Sequence, residues 1–117
     1  MDGVLEVDLK GSARLSRAVI PIMLQNANSN IRGNKNDWGV IINISSTPAI
    51  ASYTAGFPYT IAKAANIALT KSIAREYANS NIRAYSLALG NIATLATYES
   101  MTPEDRQLAS DESPMKR

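Results

Sequence analysis

Over the first quarter of the chain, apolar residues at Leu5, Leu9, Val19, Ile22 and Met23 recur mostly at intervals of three and four. That spacing predicts one helix face over residues 4–25. Pro21 falls inside the stretch and should kink or shorten the helix. An Asn-rich polar run with one Gly, residues 26–38, reads as a solvent loop. At residues 39–45 the pattern changes to GVIINIS, a β-branched apolar run of the kind found in strands covered on both faces of a parallel sheet. The next thirteen residues have no regular pattern. A second helix is predicted over residues 58–78, opened by Pro58 where a missing N–H costs little, with Ile61, Ala65, Ala68, Leu69 and Ile73 on one side. IRAYSLA, at 82–88, is a second strand, and Gly90 at its exit suggests a backbone that passes close to something. Strand, helix, strand implies a right-handed parallel crossover and hence an α/β fold. Near the end, Thr102-Pro103-Glu104-Asp105 combines a capping residue, a proline at the first helical position and acids in the first turn, which predicts a short helix.

Composition narrows what such a framework does. With 117 residues, 45% of them hydrophobic, the chain has apolar material for one compact domain, residues 1–117, with a modest core. It has no Cys and no His, which removes disulfides, thiolate nucleophiles, Ser-His-Asp triads and zinc sites built on imidazole or sulfur. Twelve basic residues against ten acidic ones leave a net charge of +2, and the basic residues are scattered rather than gathered into a stripe that tracks phosphates. Nucleic acid is therefore not an expected partner. The N-terminus, MDGVLEVDLKGSARLSR, carries charges within its first ten residues and has no continuous apolar block, so neither a signal peptide nor a membrane span is expected there. A soluble cytoplasmic protein is the expectation, with no membrane partner and no metal.

The candidate chemistry lies in the central third. Of the five tyrosines, only Tyr59 has a Lys four positions later, which on a helix places the phenol and the Lys63 ammonium on the same face. Taken alone, the spacing reads first as an ordinary surface or half-buried helical pair. Ser46 lies thirteen positions before Tyr59, at the carboxyl end of the first strand, where ligands meet open parallel sheets. A unit charge about 4 Å from a phenol, in an effective dielectric near ~20, is worth roughly 4 kcal/mol in favour of phenolate, although burial opposes it. Gly90 and Thr94, taken alone, are an ordinary strand-exit turn and a polar loop residue. Asn43, in the first strand, reads as a buried amide with a structural role.

Together, G-V-I-I-N-I-S-S, Y-T-I-A-K and I-R-A-Y-S-L-A-L-G-N-I-A-T resemble the short-chain dehydrogenase/reductase family, in the form of its 3-oxoacyl-acyl-carrier-protein reductase-like members, over residues 4–94. The resemblance implies part of a doubly wound, Rossmann-like parallel sheet with flanking helices. It implies that Ser46 holds the substrate oxygen, that Tyr59 is the acid/base and also binds the cofactor, and that Lys63 lowers the proton affinity of the phenol and binds the nicotinamide ribose. Gly90, Ile92 and Thr94 would lie against the nicotinamide of NAD or NADP, the glycine by close approach and the threonine through its hydroxyl. The substrate would be a small carbonyl or alcohol compound, and a homo-oligomer, dimer or tetramer, would form through the helices at 4–25 and 58–78.

Three positions depart from the family pattern. Asp8 stands where an Asn commonly helps a water relay to the lysine through its backbone, Tyr85 replaces another common Asn, and Leu89 replaces the usual proline before Gly90. The six glycines, at positions 3, 11, 33, 39, 56 and 90, form no T-G-x-x-x-G-x-G turn to cradle phosphates. The resemblance therefore implies the catalytic half of a domain, without the N-terminal βαβ units and the last strand. The expected activity is NAD(P)-dependent hydride transfer between nicotinamide and a carbonyl or alcohol. Two other readings stand beside it: a non-catalytic assembly protein that uses the same helices to associate, and epimerisation or dehydration on the same Tyr-Lys framework.

Overall fold

The computed structural model describes residues 1–28, 39–51 and 55–115. The chain opens as one continuous helix in three stretches: α1 (Asp2–Leu5), a π-helical turn (Glu6–Gly11) and α2 (Ser12–Asn28). Pro21 does not end it, and the helix runs on through Asn28, three residues past its expected end. Pro21 lies on the exposed side, and a π-helical turn lies around Asp8. Positions 29–38, most of the expected Asn-rich loop, lie outside the described residues. Strand β1 (Gly39–Ser46) follows, then a short α3 (Pro48–Ala51) inside the stretch read as irregular, and α4 (Phe57–Glu76). Residues 52–54 of that stretch also lie outside the description. After a 3₁₀ turn at Ala78–Ser80 come β2 (Ile82–Leu89), α5 (Leu95–Ser100) and α6 (Pro103–Glu112).

β1 and β2 pair in parallel from Gly39 opposite Ile82 to Ser46 opposite Leu89. Parallel neighbours require a crossover, and α4 supplies it, packing on both strands and against α1 and the π-helical turn. The fold is thus α/β, with a parallel two-stranded sheet and flanking helices. Ile20 of α2, Ile41 of β1, Ile73 of α4 and Ile82 of β2 form the buried core, with Val19, Met23, Leu24, Leu69, Tyr77 and Ala84 packed around them.

Two expectations about faces are corrected. The strands were expected to be covered on both sides, yet burial alternates along β1, and Val40, Ile42, Ile44, Tyr85, Leu87 and Leu89 are all exposed on the sheet's other face. Among the described residues the helices pack on one face only. On α4, Ile61 and Ala68 are exposed, and the buried positions are Ala62, Asn66, Thr70 and Ile73. Two of those are polar, so the inner stripe of α4 does not look apolar in the sequence. Ile22 of α2 is likewise 57% exposed, whereas Ile20 and Ser16 are buried.

α6 begins as expected: the Asp105 N–H donates to Thr102 Oγ1 and the Thr102 N–H donates to Asp105 Oδ2, both at 3.1 Å. The side-chain hydrogen bond from Thr102, followed by the backbone one, holds the Asp105 carboxyl below its ordinary value of 3.8. A lowered carboxyl contributes stability that is complete above its ordinary value and lost as pH falls through the lowered one. Carbon chemical shifts of α6 should therefore report an unchanged helix from neutral pH down to 3.8 and fraying only below it. Fraying that begins above pH 5 would refute this role of the cap.

Candidate active site

The end of β1 separates its two serines. Alternation turns Ser45 inward, where it is 2% exposed and its hydroxyl donates to the Lys63 carbonyl at 2.8 Å, tying α4 to the strand end. Ser46 faces the other way and makes a long contact of 3.5 Å to the Leu89 carbonyl. α4 starts at Gly56, whose φ of 82° is open to glycine at little cost, and Pro58 occupies its first turn. Tyr59 is therefore in the first turn and Lys63 one turn further along the same face. The Lys63 ammonium lies 5.6 Å from the centre of the Tyr59 ring. The Tyr59 hydroxyl makes no hydrogen bond among the described residues.

The Lys63 side chain is only 12% exposed. Its ammonium pairs with Asp8 Oδ1 at 3.0 Å and donates to the Ile44 carbonyl at 3.2 Å, leaving one of its three N–H bonds unused. The Asp8 side chain meets the lysine directly, while its carbonyl accepts from Ser12 Oγ and Asn66 Nδ2, each at 3.4 Å. Asn66 Nδ2 also donates to Ser12 Oγ at 3.0 Å, and Thr70 Oγ1 donates to the Asn66 carbonyl at 2.8 Å. Asn43 completes the chain by donating to Thr70 Oγ1 at 2.9 Å. This buried polar line runs from β1 through α4 to the π-helical turn. Because broken buried hydrogen bonds are costly, it fixes where Asp8, and through it Lys63, must sit.

Ser46, Tyr59, Lys63, Gly90, Ile92 and Thr94 all line one cleft of about 830 Å³ at the carboxyl ends of the strands. At Gly90 an added Cβ would meet nothing within 4 Å, and the residue has no positive φ, so the chain's own packing and backbone do not require a glycine there. Thr94 caps α5, its hydroxyl accepting from the Thr97 N–H at 3.2 Å and lying 2.8 Å from Thr97 Oγ1. Ile92 is 55% exposed. Asp8, Asn66 and Arg106 were not read from the sequence as site-forming residues. Asp8 and Asn66 are 58 positions apart and meet only through tertiary packing. Among the described residues no group of three or more Asp, Glu, His or Cys could hold a metal ion. No helix among them is long and apolar enough to cross a membrane.

Residues 1–105 match the family model for short chain dehydrogenase. The chain belongs to the short-chain dehydrogenase family. It is 33% identical over 116 residues to 3-oxoacyl-(acyl-carrier-protein) reductase FabG of Thermotoga maritima, covering 99% of this chain and 43% of the relative. It is 37% identical over 93 residues to dehydrogenase/reductase SDR family member 4 of Bos taurus, covering 80% of this chain and 30% of the relative. A solved structure, 3-hydroxyacyl-CoA dehydrogenase type-2 from Mycobacterium avium, superposes with a TM-score of 0.82 at 24% identity, over 99% of this chain and 43% of that one. The short-chain dehydrogenase segment thus spans less than half the length of these relatives. The fold matches part of the Rossmann-like domain seen in that structure, and the family is one of oxidoreductases.

Proposed function

We propose that this segment carries the proton-handling half of an NAD(P)-dependent oxidoreductase that interconverts a carbonyl compound and its alcohol. The observation that carries the reading is the shared cleft of Ser46, Tyr59 and Lys63, into which the family's reaction fits with the Tyr59 hydroxyl free of partners among the described residues. The nicotinamide end of a cofactor fits the residues present. Lys63 has an N–H left for a ribose hydroxyl, and Gly90 leaves open space where a side chain would otherwise stand. Ile92 and Thr94 would border the ring. The chain has no glycine turn for the pyrophosphate, so that end is not assigned to any residue here. When bound, the cofactor supplies or accepts the hydride. Ser46 donates a hydrogen bond to the reacting oxygen and Tyr59 gives or takes its proton. Lys63, held by Asp8 and the Ile44 carbonyl, keeps a positive charge beside the phenol.

To test the reading, the chain is put in place of the region it matches in the Thermotoga maritima relative, and the chimera is supplied with NADH or NADPH and a panel of ketones. Turnover that the relative lacks when that region is removed is expected. A chimera that melts cooperatively yet reduces none of them would overturn it.

A second reading, a non-catalytic assembly element, draws support from the bare apolar sheet face of Val40, Ile42, Ile44, Tyr85, Leu87 and Leu89. It is separated from the first by titrating the chain with NAD(P)H and following fluorescence, since an assembly element has no need to bind the cofactor.

A further inference from the structure

Beyond the proton-handling groups, the cleft has a second cationic wall. Arg106, in the first turns of α6, lines it together with Tyr98 of α5. The guanidinium stacks on the Tyr98 ring with its central carbon 3.8 Å from the ring centre. Nε and Nη2 both donate to the Tyr98 carbonyl, at 3.0 Å and 2.6 Å. Nη1 has no hydrogen-bond or ion-pair partner among the described residues. An arginine held this way has already lost most of its rotamer freedom, so a ligand that engages it does not bear that ordering cost. The described residues lining the cleft include no Asp or Glu, and the other lining cation among them, Lys63, is already paired with Asp8. Ile44, Leu89, Ile92 and Met101 supply apolar surface in the same cleft.

We propose that Arg106 is a specificity-determining residue and that the substrate is a carbonyl compound with an apolar body and an anionic group. The proposal rests on the oxidoreductase reading, and it deepens that reading by giving the substrate a charge. An anion reaching Arg106 has two sources, the substrate's own acid group or a phosphate of the cofactor. Arg106 lines the same cleft as Ser46 and Tyr59, which is where a substrate would sit, and the test separates the two sources.

The test is equilibrium binding to the chain as it is, without turnover. 4-Oxopentanoate, 6-oxoheptanoate and 9-oxodecanoate are titrated against their uncharged methyl esters, with ligand-observed NMR as the readout, in parallel with NADH. Charge-assisted hydrogen bonds to arginine are the stronger class, so at least one free acid should bind about tenfold or more tightly than its ester. Arg106→Gln should erase that preference while changing NADH affinity by less than about twofold. Arg106→Lys, which keeps the charge but loses the planar fork, should retain part of it. Circular dichroism melting of each variant checks that it folds. Equal binding of acids and esters by the unchanged chain would overturn the proposal, as would no binding of either or an unchanged preference in Arg106→Gln. So would a large loss of NADH affinity with acid binding intact, which would assign the arginine to the cofactor's phosphates. Turnover of uncharged ketones by the chimera alongside any of these results would leave the oxidoreductase reading standing and remove only this extension.

Discussion

Replacing Tyr59 by Phe in the chimera is expected to lower hydride transfer by roughly 10²- to 10⁴-fold, the usual range for removing a positioned acid/base. The substitution removes one oxygen and keeps the ring. The Lys63 ammonium, 5.6 Å from the ring centre, would keep its contacts to Asp8 and the Ile44 carbonyl. The Tyr59 hydroxyl has no protein partner among the described residues, so its removal should leave the folded state nearly as stable as before. Cofactor affinity should change little, because Lys63, the residue proposed to hold the ribose, is untouched. The measurement is single-turnover reduction of a ketone by NADPH or NADH, with cofactor binding followed separately. Activity within about threefold of the parent would refute the acid/base role, since the other groups in the cleft would then be moving the proton.

Ile82→Ala should be the most damaging change to the fold. Ile82 is 1% exposed at the start of β2 and meets Ile20, Ile41 and Ile73 where helix, strand and crossover converge. Truncating a buried isoleucine costs about 2–5 kcal/mol through lost transfer energy and the cavity left behind. Small domains have only about 5–15 kcal/mol in total. This domain leaves one sheet face uncovered among its described residues, so its core contributes from one side only. Urea unfolding followed by circular dichroism should show the midpoint fall steeply or the cooperative transition vanish. A loss below about 1 kcal/mol would mean that the four isoleucines are not the structural centre. Ile44→Ala, on the bare face, is the control and should cost far less.

Some of this was legible because it is local. β1, α4, β2 and the start of α6 fall within one or two residues of where periodicity, Pro58 and the Thr102–Asp105 cap put them. The spacing of Ser46, Tyr59 and Lys63 is read directly, because a strand end and one helical turn have fixed geometry. The inner face of α4 was misread for a physical reason. Asn66 and Thr70 are buried there with hydrogen-bond partners on other elements, and no hydropathy pattern anticipates partners so far away in the chain. Pro21 does not shorten the helix, because a proline on the exposed side of a long helix can be tolerated when tertiary packing holds the rest. α5 was missed because only six residues form it, its cap being Thr94 rather than an apolar repeat.

Residue type and spacing by themselves determined the α/β class, the family likeness and which three side chains were candidates for chemistry, since each depends on neighbours within a few turns or strand positions. Tertiary structure alone decided that the Asp8 carboxylate, rather than its backbone, holds Lys63. It alone decided that Arg106 shares the cleft with Tyr59, and that one face of the sheet is bare among the described residues. Each of these depends on groups tens of residues apart being brought within a few ångströms. Which distant groups meet is set by how the helices pack on the sheet, and no short stretch of sequence contains that information.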